Sequence, residues 1–214
     1  MSVRHPVTPI RRFLFIICFA LLTMTTSVAL PVQAQAADMA AGAGKFVENL
    51  GNQALDALSK HAGKKSELVS PFRKLLLDNF DIPTIGRFVL GRFWNETTPE
   101  QQKEYLSLFE TMIVQMYADR FSSYSGETFK VLSARPETER DSFVLTEVAG
   151  NGSPVKVEWR VRQLGSRFGI IDVVVEGVSM STTQRSEFAS VIQSRGGKVE
   201  GLLLALRDKV AAFH

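Results

Sequence analysis

The spacing of apolar residues in this 214-residue chain changes near Glu127, and this change limits the folds that the chain can adopt. Before Glu127 the apolar residues recur every three or four positions, as in a helix that buries one face. This pattern predicts four helices, over residues 46–60, 66–80, 82–93 and 99–121. After Glu127 the pattern becomes that of strands, over residues 127–134, 142–149, 154–163 and 168–176.

Short turn sequences separate the predicted strands, for example at residues 150–153 and 165–167, so we expect neighbouring strands to be antiparallel. In the third strand, apolar residues alternate with charged ones, which places one face of the sheet in solvent. Two further helices are predicted at residues 181–194 and 198–212. The order of elements indicates an α+β fold in which helices pack on a four-stranded antiparallel sheet.

The first 36 residues have the layout of a signal peptide. Three arginines within residues 4–12 precede ten consecutive apolar residues at 13–22. Small-residue motifs follow, and they predict cleavage before Gln35 or Ala37. The apolar run is shorter than the about 20 residues that a membrane span needs, so an uncleaved anchor is the less favoured alternative. We expect an exported protein with one domain over residues 37–214.

The charge of this domain gives no support to a nucleic-acid partner. The whole chain has 25 basic and 22 acidic residues, but three arginines and no acidic residue lie in residues 1–34, which leaves 22 of each. The single cysteine, Cys18, lies in the apolar run. The mature chain therefore lacks the residues for a disulfide scaffold, a redox motif or a cysteine-ligated zinc.

The sequence also lacks a convincing catalytic motif. His61 and His214 have no neighbouring metal ligand, and Gly42-Ala43-Gly44-Lys45, interpreted as the flexible start of the mature chain, lacks the spacing of a phosphate loop. Asp172 and Glu176 share a strand face, which suits an acid/base pair, but we favour a turn contact or an ion pair with Arg185. We expect no enzymatic activity, no metal and no cofactor.

Several segments resemble the toluene-tolerance, or MlaC-like, family. The similarity extends over about residues 46–210, and it is most specific between Asp172 and Phe188. The segments that carry it are Phe80-Asp81-Ile82, FVLGRFW at 88–94, Thr98-Pro99-Glu100-Gln101, DVVVEGVSM at 172–180, QRSEF at 184–188 and Gly196-Gly197.

The resemblance implies a monomeric periplasmic carrier of phospholipid. It implies that the partners are an inner-membrane ABC transporter complex and an outer-membrane lipoprotein complex. The implied fold is a set of helices on a curved antiparallel sheet, similar to the nuclear-transport-factor-like cone, with acyl chains between sheet and helices. Two alternatives stay open: hopanoid-related lipid handling by the same fold, and a non-catalytic envelope adaptor without ligand. An enzyme that uses Asp172 and Glu176 is a third.

We predict that the lipid pocket lies between helix 99–121, the short helix near 82–93 and the inner face of the sheet. Periodicity identifies residues that share a buried face, although it does not separate ordinary core from ligand contacts. The candidate lipid-binding residues are Phe88, Phe109, Met112, Met116, Tyr117, Val157, Trp159, Val173, Val175 and Met180.

Overall fold

The computed structural model describes residues 30–61, 63–121, 126–150 and 152–213. These residues contain six α-helices and five β-strands. The apolar run at 13–22 lies outside these residues, so the signal peptide stays a prediction. A 3₁₀ helix at Gly91–Glu96 follows the third helix. The other elements are α1 (Leu30–Lys60), α2 (Lys65–Asn79), α3 (Ile82–Leu90), α4 (Pro99–Phe121), β1 (Thr128–Pro136), β2 (Asp141–Ala149), β3 (Val155–Leu164), β4 (Arg167–Val175), β5 (Val178–Ser179), α5 (Met180–Ser194) and α6 (Val199–Ala211).

The strands form one antiparallel sheet in the order β1-β2-β3-β4-β5. The predicted α+β class and helical N-terminal half are confirmed, but the sheet has a fifth strand that the sequence pattern did not predict. This strand has two residues, too few for alternation to be visible. It pairs Val178 with Val175 across a turn in which Glu176 and Gly177 have φ values of 49° and 82°, the geometry of a two-residue hairpin.

Two bulges interrupt the pairing and increase the twist of the sheet. In β1, Leu132 has no partner between Val131 and Ser133. In β4, Arg160 pairs with Asp172 and Val161 pairs with Ile170, so that Ile171 is the extra residue. This second bulge explains why β4 is apolar on both faces. The inward positions change from Ile170 to Val173 and Val175 instead of following a strict alternation.

The N-terminal helix starts much earlier than the sequence pattern predicted. Residues 42–45, interpreted from the sequence as a flexible start, lie within α1, and Ala43 and Val47 are fully buried against the sheet. Both candidate cleavage motifs also lie in this helix. The alanine- and glycine-rich sequence has little contrast between polar and large apolar residues, so its helical period was not visible.

A capping box fixes the start of α4. The backbone N–H of Gln101 donates to Thr98 Oγ1 at 3.3 Å, and Gln101 Oε1 accepts from the backbone N–H of Thr98 at 2.9 Å. From there α4 packs beside α3, α5 and α6 in a core built around Tyr105, Phe109 and Phe188. The helical core thus fixes one side of α4 and leaves another side directed towards the sheet.

No helix in the described ranges is both long enough and apolar enough to cross a lipid bilayer.

Candidate functional site

A largely apolar cavity of about 540 Å³ lies between the helices and the inner face of the sheet. Its volume falls within the about 300–1,000 Å³ that is typical of sites for small organic ligands. The polar or charged residues in its lining are few: Arg120, Glu127, Asp172, Ser181 and Gln184. An apolar lining of this kind suits a hydrocarbon ligand, because it supplies dispersion contacts and excludes water.

Seven of the ten predicted lipid-binding residues line this cavity. They come from α4, from facing positions of β3 and β4, and from the start of α5, and the sheet register pairs Trp159 with Val173 and Val157 with Val175. These seven residues are Phe109, Tyr117, Val157, Trp159, Val173, Val175 and Met180. Their contact with lipid stays a prediction.

The other three predicted residues do not line the cavity. Phe88 is 44% exposed on α3, and the Arg185 guanidinium lies 5.1 Å from its ring centroid. Met112 is buried in the core that α4 forms with α5 and α6. Met116 is half-buried on α4 outside the cavity lining. The sequence predicted the stripe 109, 112 and 116, whereas the stripe that faces the cavity is Phe109, Ile113 and Tyr117.

Helices α1 and α2 form a wall of the cavity that the sequence analysis missed. Both have apolar stripes, but a stripe indicates only burial and does not show whether it meets side chains or an open space. The lining residues from these helices include Leu50, Gly51, Leu55, Leu58, Leu68, Phe72 and Leu75, and Phe129 and Val148 are added from β1 and β2.

Helix α1 lies close to the sheet at Gly51. A Cβ atom built on this residue would lie 2.3 Å from the Phe129 ring, which is far below van der Waals contact. Phe129 in turn packs edge-on against Trp159, with ring centroids 6.2 Å apart. The absence of a side chain at Gly51 therefore sets the position of an aromatic pair in the cavity wall.

Polar groups on the aromatic side of the cavity are kept neutral or hydrogen-bonded. Burial raises the pKa of the Tyr117 phenol, and the nearby Arg120 charge opposes this shift. The phenol is therefore uncharged at neutral pH. The indole N–H of Trp159 has a hydrogen-bond acceptor within the sheet, the hydroxyl of Thr146. Both rings thus present apolar surface to the cavity without an unsatisfied charge.

The two carboxylates of the hypothetical acid/base pair make structural contacts. Asp172 Oδ1 accepts from the backbone N–H of Ser181 at 3.1 Å, and its Oδ2 accepts from Ser179 Oγ at 2.6 Å. Glu176 Oε1 accepts from the backbone N–H of Lys156 at 2.5 Å. These contacts agree with the turn-contact interpretation. The alternative ion pair with Arg185 is not formed, because this arginine packs on Phe88 instead.

Within the described ranges, no group of three or more His, Cys, Asp or Glu residues is arranged to hold a metal ion.

Two curated proteins are similar to part of this chain. The toluene tolerance protein ttg2D of Pseudomonas putida is 23% identical over 121 residues, which is 56% of each chain. The intermembrane phospholipid transport system binding protein MlaC of Haemophilus influenzae is 25% identical over 130 residues, or 58% of this chain and 60% of that protein. The similarity thus spans little more than half the length of these relatives.

A solved structure shares the fold over a larger part of the chain. The phospholipid-binding protein from Ralstonia solanacearum, solved in complex with a phospholipid, superimposes with a TM-score of 0.68 and 25% identity. The match covers 79% of this chain and 97% of that chain. The sequence profile of the family described as MlaC protein matches residues 48–208, which is most of the chain. The family resemblance noted from the sequence is therefore confirmed, and the chain belongs to the MlaC protein family.

Proposed function

We propose that this protein binds phospholipid acyl chains in the cavity and shuttles the lipid between membranes as a soluble carrier. The observation that carries the proposal is the apolar cavity of about 540 Å³ between the sheet and α1, α2 and α4. The name of the Haemophilus influenzae relative and the phospholipid in the Ralstonia solanacearum structure support a phospholipid rather than a hopanoid cargo.

The energetics of the cargo explain why a carrier needs such a cavity. Each buried methylene contributes about 0.8 kcal/mol, so two acyl chains of about 15 methylenes each gain on the order of 24 kcal/mol in an apolar environment. A protein competes with the bilayer only if it offers the chains a comparably dry site. Release then requires a partner that opens the cavity or receives the chains.

An empty cavity of this size is unfavourable, which argues against the adaptor without ligand. Without a ligand its largely apolar lining is left in contact with water, and each Å² of apolar surface that stays exposed forgoes about 25 cal/mol. A bound chain that fills the space removes this penalty, because it restores the dispersion contacts of the lining residues.

We further propose that the carrier works in the periplasm and is not an enzyme. The signal-peptide layout of the first 36 residues and the family membership support the location. The engagement of Asp172 and Glu176 in backbone contacts supports a binding role. By family membership, an inner-membrane ABC transporter complex and an outer-membrane lipoprotein complex are the proposed partners.

A transfer assay between vesicles tests this function. Donor vesicles contain a fluorescent phospholipid whose emission is quenched, and acceptor vesicles do not. We expect the mature protein to raise the transfer rate in proportion to its concentration, with intact lipid recovered from the acceptors. Unchanged transfer would contradict the carrier function, and recovery of hydrolysed lipid would support an enzyme instead.

A further inference from the structure

A groove on the outer side of α3 carries an unbalanced positive charge. It lies between α3, the 3₁₀ helix, β3 and α5, and three guanidinium groups line it, those of Arg87, Arg162 and Arg185. Arg162 is neutralised, because it forms a bidentate ion pair with Asp141 at 2.7 and 2.8 Å. Among the described residues, no ion pair joins Arg87 or Arg185 to a carboxylate.

Aromatic rings hold both unpaired arginines in place. The Arg87 guanidinium carbon lies 6.0 Å from the Trp94 ring centroid, and that of Arg185 lies 5.1 Å from the Phe88 ring centroid. Gly91, with φ of 60°, makes room for Arg185, since a Cβ there would lie 2.9 Å from its Nε. The two guanidiniums are thus preorganised at one concave surface, where less side-chain entropy is lost on binding an anion.

The shape and charge of the groove fit one kind of occupant. Stacked guanidiniums present planar donor pairs that match a carboxylate, and the 44% exposed ring of Phe88 offers an apolar contact beside them. A membrane surface attracts proteins through an extended basic face, whereas here two unpaired cations point into a hollow. We propose that this groove binds a carboxylate side chain in an acidic, partly apolar segment of a protein partner.

The groove lies directly behind the cavity wall. On α3, Ile82, Ile85 and Val89 line the cavity, whereas Thr84, Arg87 and Phe88 line the groove. On α5, Gln184 lines the cavity and its neighbour Arg185 lines the groove. A partner segment in the groove therefore contacts the outer side of two helices that hold the cargo site.

Binding of a synthetic peptide tests the proposal on the mature protein. The probe is a fluorescein-labelled dodecapeptide that alternates Glu-Asp pairs with single leucines, and the matched peptide contains Gln and Asn in their place. Variants Arg87→Gln and Arg185→Gln remove the unpaired charges. The control is Arg92→Gln, because Arg92 stacks on Phe93 at 4.8 Å in the same 3₁₀ helix but does not line the groove.

We expect fluorescence anisotropy to show binding of the acidic peptide and none of the amide peptide. Loss of a charge-assisted hydrogen bond weakens binding about ten- to hundredfold. We therefore expect Arg87→Gln and Arg185→Gln each to lower the affinity for the acidic peptide by this factor. The affinity of Arg92→Gln should stay within about twofold of that of the parent. Absence of binding, or equal weakening by all three variants, would overturn the proposal. Arginine-dependent binding of phosphatidylglycerol vesicles or inorganic phosphate, with none of the peptide, would overturn it in favour of those anions.

Discussion

Trp159 donates its indole N–H to Thr146 Oγ1 across the sheet, with 2.9 Å between nitrogen and oxygen. The same hydroxyl donates to the carbonyl oxygen of Val157 at 3.0 Å, and Thr146 is fully buried. One hydroxyl on β2 therefore fixes the orientation of a large aromatic side chain in the cavity wall. Since a hydroxyl both accepts and donates, no apolar residue of similar shape replaces it.

We predict that Thr146→Val lowers the free energy of unfolding by about 1–3 kcal/mol, because it leaves the partly buried indole N–H of Trp159 without its hydrogen-bond acceptor. Urea unfolding measures this change. The matched control is Thr128→Val. The Thr128 hydroxyl donates an exposed 3.3 Å hydrogen bond to the Ala149 carbonyl oxygen, so its loss should change the free energy of unfolding by less than about 0.5 kcal/mol. Equal effects of the two substitutions would show that the Trp159 contact contributes no stability of its own.

The close approach of α1 to β1 makes Gly51→Ala destabilising. Alanine favours a helix by about 1 kcal/mol over glycine. The added Cβ would nevertheless lie 2.3 Å from the Phe129 ring, and displacing this ring costs about 1–3 kcal/mol in a packed site. Gly44→Ala in the same helix is the control, because its Cβ would meet the Ala134 Cβ at 3.3 Å. If urea unfolding finds Gly51→Ala as stable as Gly44→Ala, α1 does not pack on Phe129 as described.

Filling the cavity should displace the cargo. We predict that Val175→Trp lowers the amount of co-purified phospholipid per folded molecule at least severalfold, because the indole occupies space between sheet and helices. Val178→Trp is the matched control: it adds the same side chain at a residue that is 52% exposed and outside the cavity lining. Lipid extraction followed by phosphate analysis gives the occupancy. Equal lipid content in both variants would place the binding site elsewhere.

The ion pair between Arg162 and Asp141 predicts a loss of stability in acid. The hydrogen bonds from Arg162 hold the pKa of the Asp141 carboxyl below its ordinary value. In acid the unfolded chain therefore binds more protons than the folded one, so the free energy of unfolding falls as the pH drops through about 3.9 and below. Above that range the pair contributes its full stabilisation.

Asp141→Asn should remove this part of the pH dependence and lower the free energy of unfolding at pH 7 by about 1.5–3 kcal/mol, the range for hydrogen bonds to charged groups. Urea unfolding between pH 3 and pH 7 tests both effects. Asp56→Asn, which breaks an exposed pair with Lys60 on α1, is the control at pH 7 and should change stability by less than about 1 kcal/mol. If the free energy of unfolding of the parent and that of Asp141→Asn changed in parallel with pH, the ion pair would not be a source of the loss of stability in acid.

The sequence pattern predicted the strands that hold the site well. Alternation along β3 placed Val157 and Trp159 together, and the structure has both in the cavity lining. The pattern was less informative for β4, where the bulge at Ile171 changes which residues face inward. A bulge depends on how a strand pairs with its neighbour in the sheet, so the residue pattern of one strand alone does not reveal it.

The helical side of the site was harder to predict. Helix α4 is buried on more than one side, and periodicity gave no reason to choose the Ile113 stripe over the Met112 stripe. The choice depends on which neighbour packs tightly: α5 and α6 fill the space around Met112, whereas α1 and α2 leave a void beside Ile113. Voids arise from the tertiary arrangement of elements, and this arrangement is not encoded in the period of any one element.

Native mass spectrometry of the mature protein, isolated from the envelope of the cell that makes it, tests the carrier function most directly. We predict one phospholipid bound to each protein molecule, retained through purification and released when the protein unfolds. We also predict that protein stripped of lipid regains it from phospholipid vesicles. Protein that is isolated free of lipid and takes up none from vesicles, while still folded, would contradict the assignment of this cavity as a phospholipid site.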